Sequence, residues 1–304
     1  MYTMKKSLIA VSIAAMPLTG LAELQPMNDT QMSGVTGQAG VTIELSTEAS
    51  IDSIEYSQGA NTGSVLMNNV RIGGHDAGET LDIDINIDLV NSSGDISRAA
   101  ANLPGDLEDG DAFIEVRPLG GASTPVEAGI DVGSVGLASS DGSNTATLIS
   151  DISADFWVTQ LDITTRVNNA ISGGDPDTGS IRIRNKFAAQ MDADFDVAAV
   201  SLSDVVVAGG ELTDDMKAAD PNMQLLSISS PAEIEAEIGA GPAISGSSSA
   251  PDETLRVDLQ AMNLAVWMPE VNVGSGDGTT ASIGSVGISK LQASDTQMAI
   301  YARE

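Results

Sequence analysis

The sequence predicts an all-β protein: an elongated, bent antiparallel sheet or sandwich of one-sided strands, with a short N-terminal helix and minor helical turns. Apolar and polar residues alternate with period two, most clearly in Leu81–Leu89, where the odd positions are apolar. Turn residues such as Gly, Asp, Ser and Asn separate these runs. Aromatic residues make up only 3% of the chain, which favours a thin aliphatic core over a deep one.

The same alternation predicts which side of each strand is buried. Leu81–Leu89 carries Asp and Asn on one face and Ile and Leu on the other. Antiparallel sheets commonly pack one face on a core and expose the other to water. We therefore expect the apolar face to be buried and the polar face to be wet.

A weak internal repeat predicts where the strands bend. Three segments, beginning at Ala154, Ala193 and Val257, share an Asp followed by alternating apolar residues, and in each the apolar phase slips by one. In the first, Phe156 and Leu161 belong to opposite phases. A slip within a strand would turn the later side chains to the wrong face unless a bulge or corner compensates, so we expect one in each copy.

Two local predictions concern a hairpin and a helix. Alternation over residues 181–197 allows a hairpin that turns at Ala189 and pairs Arg184 with Asp194; the alternative is a short helical link over residues 185–191. Farther on, Ser230 followed by Pro231 is typical of a helix start, which predicts a helix over residues 232–238.

The N-terminus predicts export. Residues 1–22 combine a basic start, an apolar run too short to span a membrane, and a small-residue cleavage site, which together are typical of a cleavable signal peptide. Residues 23–40 predict a helical segment, because a capping-box pattern begins at Asn28. Residues 41–304 form the predicted β-rich domain, with a loop or boundary at residues 239–252.

Charge and cysteine content restrict the classes of partner. The chain has 43 acidic and 13 basic residues and a formal net charge of −30. Such a chain repels nucleic acid and anionic lipid, so cations, basic surfaces and cation-bridged copies are its expected partners. It has no cysteine, so the fold holds without disulfides. No later apolar stretch is long enough to predict a transmembrane span.

The sequence contains few of the residues and motifs that catalysis requires, and it therefore predicts that the protein is not an enzyme. His75 is the only histidine, and no nucleophile elbow or phosphate-binding loop is present. We interpret His75, which follows two glycines, as an exposed turn residue rather than a general base or metal ligand. Trp157 and Trp267 occur singly in strand-like runs, which predicts packing in a core or interface rather than a sugar-binding platform.

Calcium is the one candidate cofactor. Four acidic residues crowd a glycine-containing loop: Asp106, Glu108, Asp109 and Asp111. Calcium takes six to eight oxygen ligands, which flexible acidic loops supply. The alternative interpretation of these residues is a solvated acidic surface.

The segment after the predicted signal resembles a known family. Leu24, Met27, Asn28, Asp29, Met32, Ser33 and the run over residues 35–43 are similar to the start of exported Gram-negative proteins that are labelled as pilus-system (Fil-type) proteins. The resemblance covers about 20 residues. It implies association with the cell surface or a filament and no known enzymatic activity.

These observations predict a non-enzymatic structural or adhesive protein, secreted or on the outer cell surface and associated with a filament or pilus. Its partners would be other copies or other envelope and filament proteins, and residues 41–45 are a candidate donor strand for pairing between chains. The alternative is a periplasmic or secreted β module that binds lipid or another ligand.

Overall fold

The computed structural model describes residues 40–59, 61–97, 100, 102–121, 125–168, 170–218, 221–244, 253–274 and 281–301. These residues all belong to one compact unit, Ala39–Glu304. The predicted signal peptide and the predicted helix that begins at Asn28 lie outside the described residues. Within the described part, no helix has the length and apolar character needed to cross a membrane.

The described chain is built from antiparallel strands, which confirms the predicted all-β class. The strands are β1 (Gly40–Thr47), β2 (Ala49–Ser57), β3 (Ser64–Gly73), β4 (Leu81–Leu89), β5 (Ala112–Pro118), β6 (Val126–Ala138), β7 (Thr145–Arg166), β8 (Ser180–Phe195), β9 (Val200–Ala208), β10 (Ala232–Gly241), β11 (Thr254–Met268), β12 (Glu270–Val273) and β13 (Val286–Ile300). The helix α1 (Met223–Ser229) lies between β9 and β10, and single 3₁₀ turns follow β5 and β8.

The thirteen described strands form one sheet with eight side-by-side positions. Several positions hold two shorter strands in succession, because one long strand pairs with both: β7 pairs with β6 and β5 along the same edge, and β8 pairs with β9 and β10. From one edge of the sheet to the other, the positions are β1 with β2, β4 with β3, β5 with β6, β7, β8, β10 with β9, β11 with β12, and β13.

The predicted phase slips are confirmed as bulges and a corner. In β7, Thr159 is an extra residue between the pairs Val158–Phe187 and Gln160–Lys186. In β11, Gln260 is the extra residue opposite β10. In the copy that begins at Ala193, the chain leaves β8 through a 3₁₀ turn and returns as β9. Each device keeps the later apolar side chains on the face of the earlier ones.

The predicted hairpin at Ala189 is wrong, and so is the alternative helical link. β8 runs without interruption through this residue, so Arg184 and Asp194 lie ten residues apart on one strand. Arg184 pairs instead with Asp162 of β7. Alternation continues through the whole of β8, and neighbouring strands on both edges satisfy its backbone, so no turn is needed.

The predicted helix over residues 232–238 is also wrong, because these residues belong to β10. Ala232, Ile234 and Ile238 share a phase opposite to that of the intervening glutamates, and this period of two outweighs the helix-start signal of Pro231. The helix is α1, just before it, where the side chain of Asn222 accepts a hydrogen bond from the Leu225 N–H at 3.1 Å.

The predicted loop or boundary at residues 239–252 begins too early, because residues 239–241 belong to β10 and are paired. Gly241 at the end of β10 lies opposite Thr254 at the start of β11. Most of the connection, residues 245–252, lies outside the described residues. The two flanking strands are neighbours in the same sheet.

Candidate functional site

One face of the sheet carries apolar side chains across all eight positions. Directly paired residues of antiparallel strands lie on the same face, so an unbroken row of pairs identifies that face. One such row is Val41, Ile87, Ile114, Ile163, Ile183, Ala236, Leu259 and Thr296. We call the surface that contains this row the apolar face.

A second row shows that the apolar face continues into the other half of the sheet. It consists of Ala128, Phe156, Ala189, Val207, Val266 and Ile288. Ile183 of the first row and Ala189 of the second are six residues apart on β8, and an even spacing on a regular strand places them on one side. The two halves therefore share one apolar face.

Large side chains on the apolar face are exposed. Val41 of β1 is 59% exposed and Leu255 of β11 is 50% exposed, and Ile181 near the start of β8 is exposed as well, whereas the isoleucines farther along the central strands are half-buried. Near the centre, Phe187 and Val207 are buried, but they pack with Phe156 and other side chains of the sheet itself. Among the described residues, this packing is the only apolar cluster that lies on the apolar face.

The opposite face carries charged side chains, which are buried or half-buried in the middle of the sheet. Its rows include Asn86, Glu115, Asp162, Arg184 and Glu235. Asp162 and Glu237 are each 1% exposed. Arg184 Nε donates to Asp162 Oδ1 at 2.7 Å, and Arg182 Nε donates to Glu235 Oε1 at 2.7 Å. Opposite charges satisfy one another across neighbouring strands, as buried charges require.

The segment between β4 and β5 covers much of this charged face. A guanidinium nitrogen of Arg184 donates to the carbonyl oxygen of Asn102 in that segment. Val90, Ile96 and Leu107 pack with Phe113, which projects from the charged face. The helix α1 adds a second cover, where Met223 and Leu226 pack with Trp157.

The prediction of which face of β4 is buried is therefore wrong in part. Asp88, on the face expected to be wet, is buried, whereas Leu89, on the face expected to be buried, is exposed. The cause is the cover over the charged face, which removes Asp88 from water. The surface left open is the apolar face.

The residues of the predicted calcium site are divided among other partners. Asp106 accepts from Arg182 Nη1 at 2.7 Å and lies 3.3 Å from Arg166 Nη1. Asp111 is buried and accepts backbone N–H groups of Val167 and Glu108, and Glu108 accepts from Asn168. No group of three or more His, Cys, Asp or Glu residues within the described ranges is arranged to hold a metal ion.

The negative charge of Asp106 is balanced by ion pairs with Arg182 and Arg166. Partial burial acts to raise the pKa of Asp106, but the positive charges of Arg182 and Arg166 outweigh it and lower the pKa below its usual value. Calcium binding by this loop, which includes Asp109, stays a prediction. The ion would have to compete with two guanidinium groups for Asp106.

His75 lies in the loop after β3, as predicted, but its side chain is half-buried and contacts two residues of β7. Its ring packs on Trp157 with centroids 4.9 Å apart, and its Nε2 lies 3.3 Å from Asp155 Oδ2. Trp157 is itself buried, which confirms the prediction that it packs in a core. Sequence spacing held no signal for this group, because His75, in the loop after β3, and Asp155, in β7, are distant in the chain.

Asp155 titrates abnormally in this cluster. Burial raises the pKa of Asp155 above its usual value; Asp131 and Asp76 add to the rise, while His75 and Arg71 oppose it. The folded chain therefore binds a proton at Asp155 more readily than the unfolded chain does. The stability gained from protonated Asp155 is present at low pH and is lost as the pH rises through the folded-state pKa.

Replacing Asp155 by asparagine should therefore stabilise the protein more at pH 7 than at pH 4. We expect the Tm of Asp155→Asn to rise relative to the unmodified chain as the pH increases, since only the unmodified chain then carries a poorly solvated carboxylate at residue 155. Thermal unfolding followed by circular dichroism measures this. Asp76→Asn, at a well-exposed carboxylate of the same cluster, is the control. A Tm difference that does not change with pH would contradict the assignment.

Comparison with known proteins gives one match. A family described as a family of unknown function (DUF6160) matches residues 1–98. The match covers about a third of the chain and includes β1 to β4, and it carries no link to pilus systems. No curated protein and no solved structure shows a significant match.

Proposed function

We propose that this protein is a non-enzymatic structural or adhesive protein, secreted or held on the outer cell surface, that binds other copies of itself through its apolar face. The observation that supports the proposal is the reversed burial of the sheet. Charged residues such as Asp162 are covered, whereas Leu255 and Ile181 on the other side are open to solvent. Contiguous exposed apolar patches of this kind mark interaction sites.

The size of the apolar face suits a protein partner. Eight strands about 4.8 Å apart span about 34 Å, and a strand of 16 residues is about 50 Å long. The face therefore offers an area on the order of 1,500 Å², and a stable interface needs about 800 Å² from each partner. Not all of the face has to be covered for association to be stable.

Charge favours this face over the rest of the surface. The chain is strongly acidic, so most approaches of one copy to another bring like charges together. The two rows that identify the apolar face contain no charged residue. Two copies that meet through it gain apolar burial and keep their carboxylates apart.

The experiment combines location with assembly state. Cells and medium are fractionated and blotted for the chain, with and without a calcium chelator, and the purified chain is analysed by sedimentation velocity over a range of concentrations. We expect the protein in the medium or on the cell surface, with oligomers that increase with concentration. A monomer confined to the periplasm would contradict the proposal.

The same apolar face supports a second candidate, a periplasmic or secreted module that binds lipid. Acyl chains would cover Leu255 and its neighbours as well as a protein partner would. Native mass spectrometry separates the two functions, because a lipid-binding module would carry co-purified lipid on a monomer. A lipid-free oligomer supports the structural function.

A further inference from the structure

Both edges of the sheet present long strands whose outer backbones are largely open, although the Lys290 N–H in β13 donates to the carbonyl oxygen of Gly210 at 3.0 Å. Within the described residues, β1 pairs only with β4, β2 only with β3, and β13 only with β11. β1 and β2 follow one another with only Glu48 between them. Nearly every residue of these three strands is exposed. An open strand edge is a template for pairing with another chain.

The edges carry few of the features that protect strands against pairing. Proline, lysine, inward-pointing charge, β-bulges and short strands are the usual protections of edge strands, and of these β13 has a bulge at Lys290. β1 and β2 contain no proline and no lysine, and β13 contains no proline and the single lysine Lys290. β13 has 15 residues, close to the combined length of β1 and β2.

The two edges have compatible directions. Every neighbouring pair in the sheet is antiparallel, so strand direction alternates from one position to the next. With eight positions, the first and the last run in opposite directions. If one copy is placed beside another in the same orientation, its β13 therefore meets the β1–β2 edge in the antiparallel sense used throughout the fold.

The apolar residues of the two edges also match in register. In one alignment, with one extra residue at Glu48, apolar side chains oppose one another along both halves of the edge, and the apolar face continues from one copy to the next. Three of the pairs in this alignment are Ile43 with Met298, Ile51 with Leu291, and Tyr56 with Val286. All six of these side chains are exposed in the single chain.

We propose that β13 of one copy adds to the β1–β2 edge of the next, in this antiparallel register, so that copies join head to tail in a continuous sheet. The inference rests on the proposed self-association and adds a second contact surface, the two sheet edges, to the apolar face. A head-to-tail contact uses two different surfaces, so it produces a ring if it closes and a filament if it does not.

Cysteine cross-linking tests the contact without background, because the chain has no cysteine of its own. Two single variants, Ile43→Cys and Met298→Cys, are purified, mixed and treated with a short thiol-specific cross-linker. We expect a cross-linked dimer from the mixture and little from either variant alone. Tyr56→Cys mixed with Val286→Cys should give the same result, since the pairs lie at opposite ends of one register.

Tyr56→Cys mixed with Met298→Cys is the control. In the proposed register these positions are separated by about 13 residues, or about 43 Å along the strand, so no dimer is expected. A dimer in this mixture but not in the matched mixtures would overturn the antiparallel register. A doubly substituted chain, Ile43→Cys with Met298→Cys, should give a ladder of oligomers, and cross-linking within single chains only would overturn the head-to-tail contact.

The outcomes also distinguish this inference from the proposed function. If the chain forms oligomers in sedimentation but the matched cysteines do not cross-link, association uses the apolar face alone and the edge contact is wrong. If the chain stays monomeric and does not cross-link, both proposals fail. Circular dichroism of each cysteine variant confirms that the substitution at an exposed site leaves the fold intact.

Discussion

Replacing Asp162 by alanine is expected to destabilise the protein by about 3–5 kcal/mol, the usual cost of removing one partner of a buried ion pair. The carboxylate of Asp162 accepts hydrogen bonds from Arg184 Nε and Gln160 Nε2, both at 2.7 Å. Without it, the largely buried guanidinium of Arg184 loses its anion. Urea unfolding followed by circular dichroism measures the change in the free energy of unfolding.

A matched control shows whether burial is the cause. Glu211 and Lys290 form an ion pair in which both side chains are mostly exposed. Glu211→Ala should leave the free energy of unfolding unchanged within error, because exposed pairs contribute little. Equal losses in Asp162→Ala and Glu211→Ala would contradict the covered charged face.

Replacing Ile181 by lysine is expected to weaken self-association at least tenfold. Ile181 lies on the apolar face near the start of β8, away from both edge strands, and is 42% exposed in the single chain. Lysine can reach water there in the monomer, so the Tm should change little. In the assembled state its ammonium would be buried without a partner, and a cost of about 1.4 kcal/mol already corresponds to a tenfold change in Kd.

Ser140→Lys is the control for the change in charge. Ser140 is exposed in the turn between β6 and β7, away from the apolar face. Sedimentation equilibrium of the two variants and the unmodified chain gives the three dissociation constants. A similar Kd for all three would show that the apolar face does not form the contact, and a weaker Kd for both variants would indicate a general charge effect.

The strands and their bulges could be predicted from the sequence because both are local properties. Alternation in Leu81–Leu89 depends only on which residues follow one another, and the structure contains this strand as β4. The phase slip between Phe156 and Leu161 is compensated by one extra residue, Thr159. In both cases the chain has to keep its apolar side chains on one face.

Which face of the sheet is covered could not be predicted from the strands, because it depends on how the chain between β4 and β5 folds. The chain between β4 and β5 folds over the charged face and buries Asp162. The apolar residues of that segment, such as Val90, Ile96 and Leu107, were a signal in the sequence that it packs against the sheet, since apolar side chains need a surface that buries them. Their glycine-rich and acidic surroundings favoured the interpretation as a solvated or calcium-binding loop.

The two wrong local predictions, the hairpin at Ala189 and the helix over residues 232–238, have a common cause. The charges of β8 can be matched with the aspartates farther along the same strand, but β7 and β10 supply closer partners, such as Asp162 for Arg184. Pro231 resembles a helix start, but the alternation that follows it fits a strand between β8 and β11. Tertiary pairing outweighed a local signal in both places.

Radical footprinting reports the exposure of individual side chains, so it shows whether the apolar face is open in the single chain and covered on association. The purified chain is labelled when dilute and when concentrated, and the labelled residues are located by mass spectrometry. We predict strong labelling of Ile181 and Leu255 in the dilute chain, protection of both when it is concentrated, and no change at the exposed turn around Ser140. Weak labelling of the apolar face in the dilute chain, or equal labelling in both samples, would contradict an open face that binds other copies.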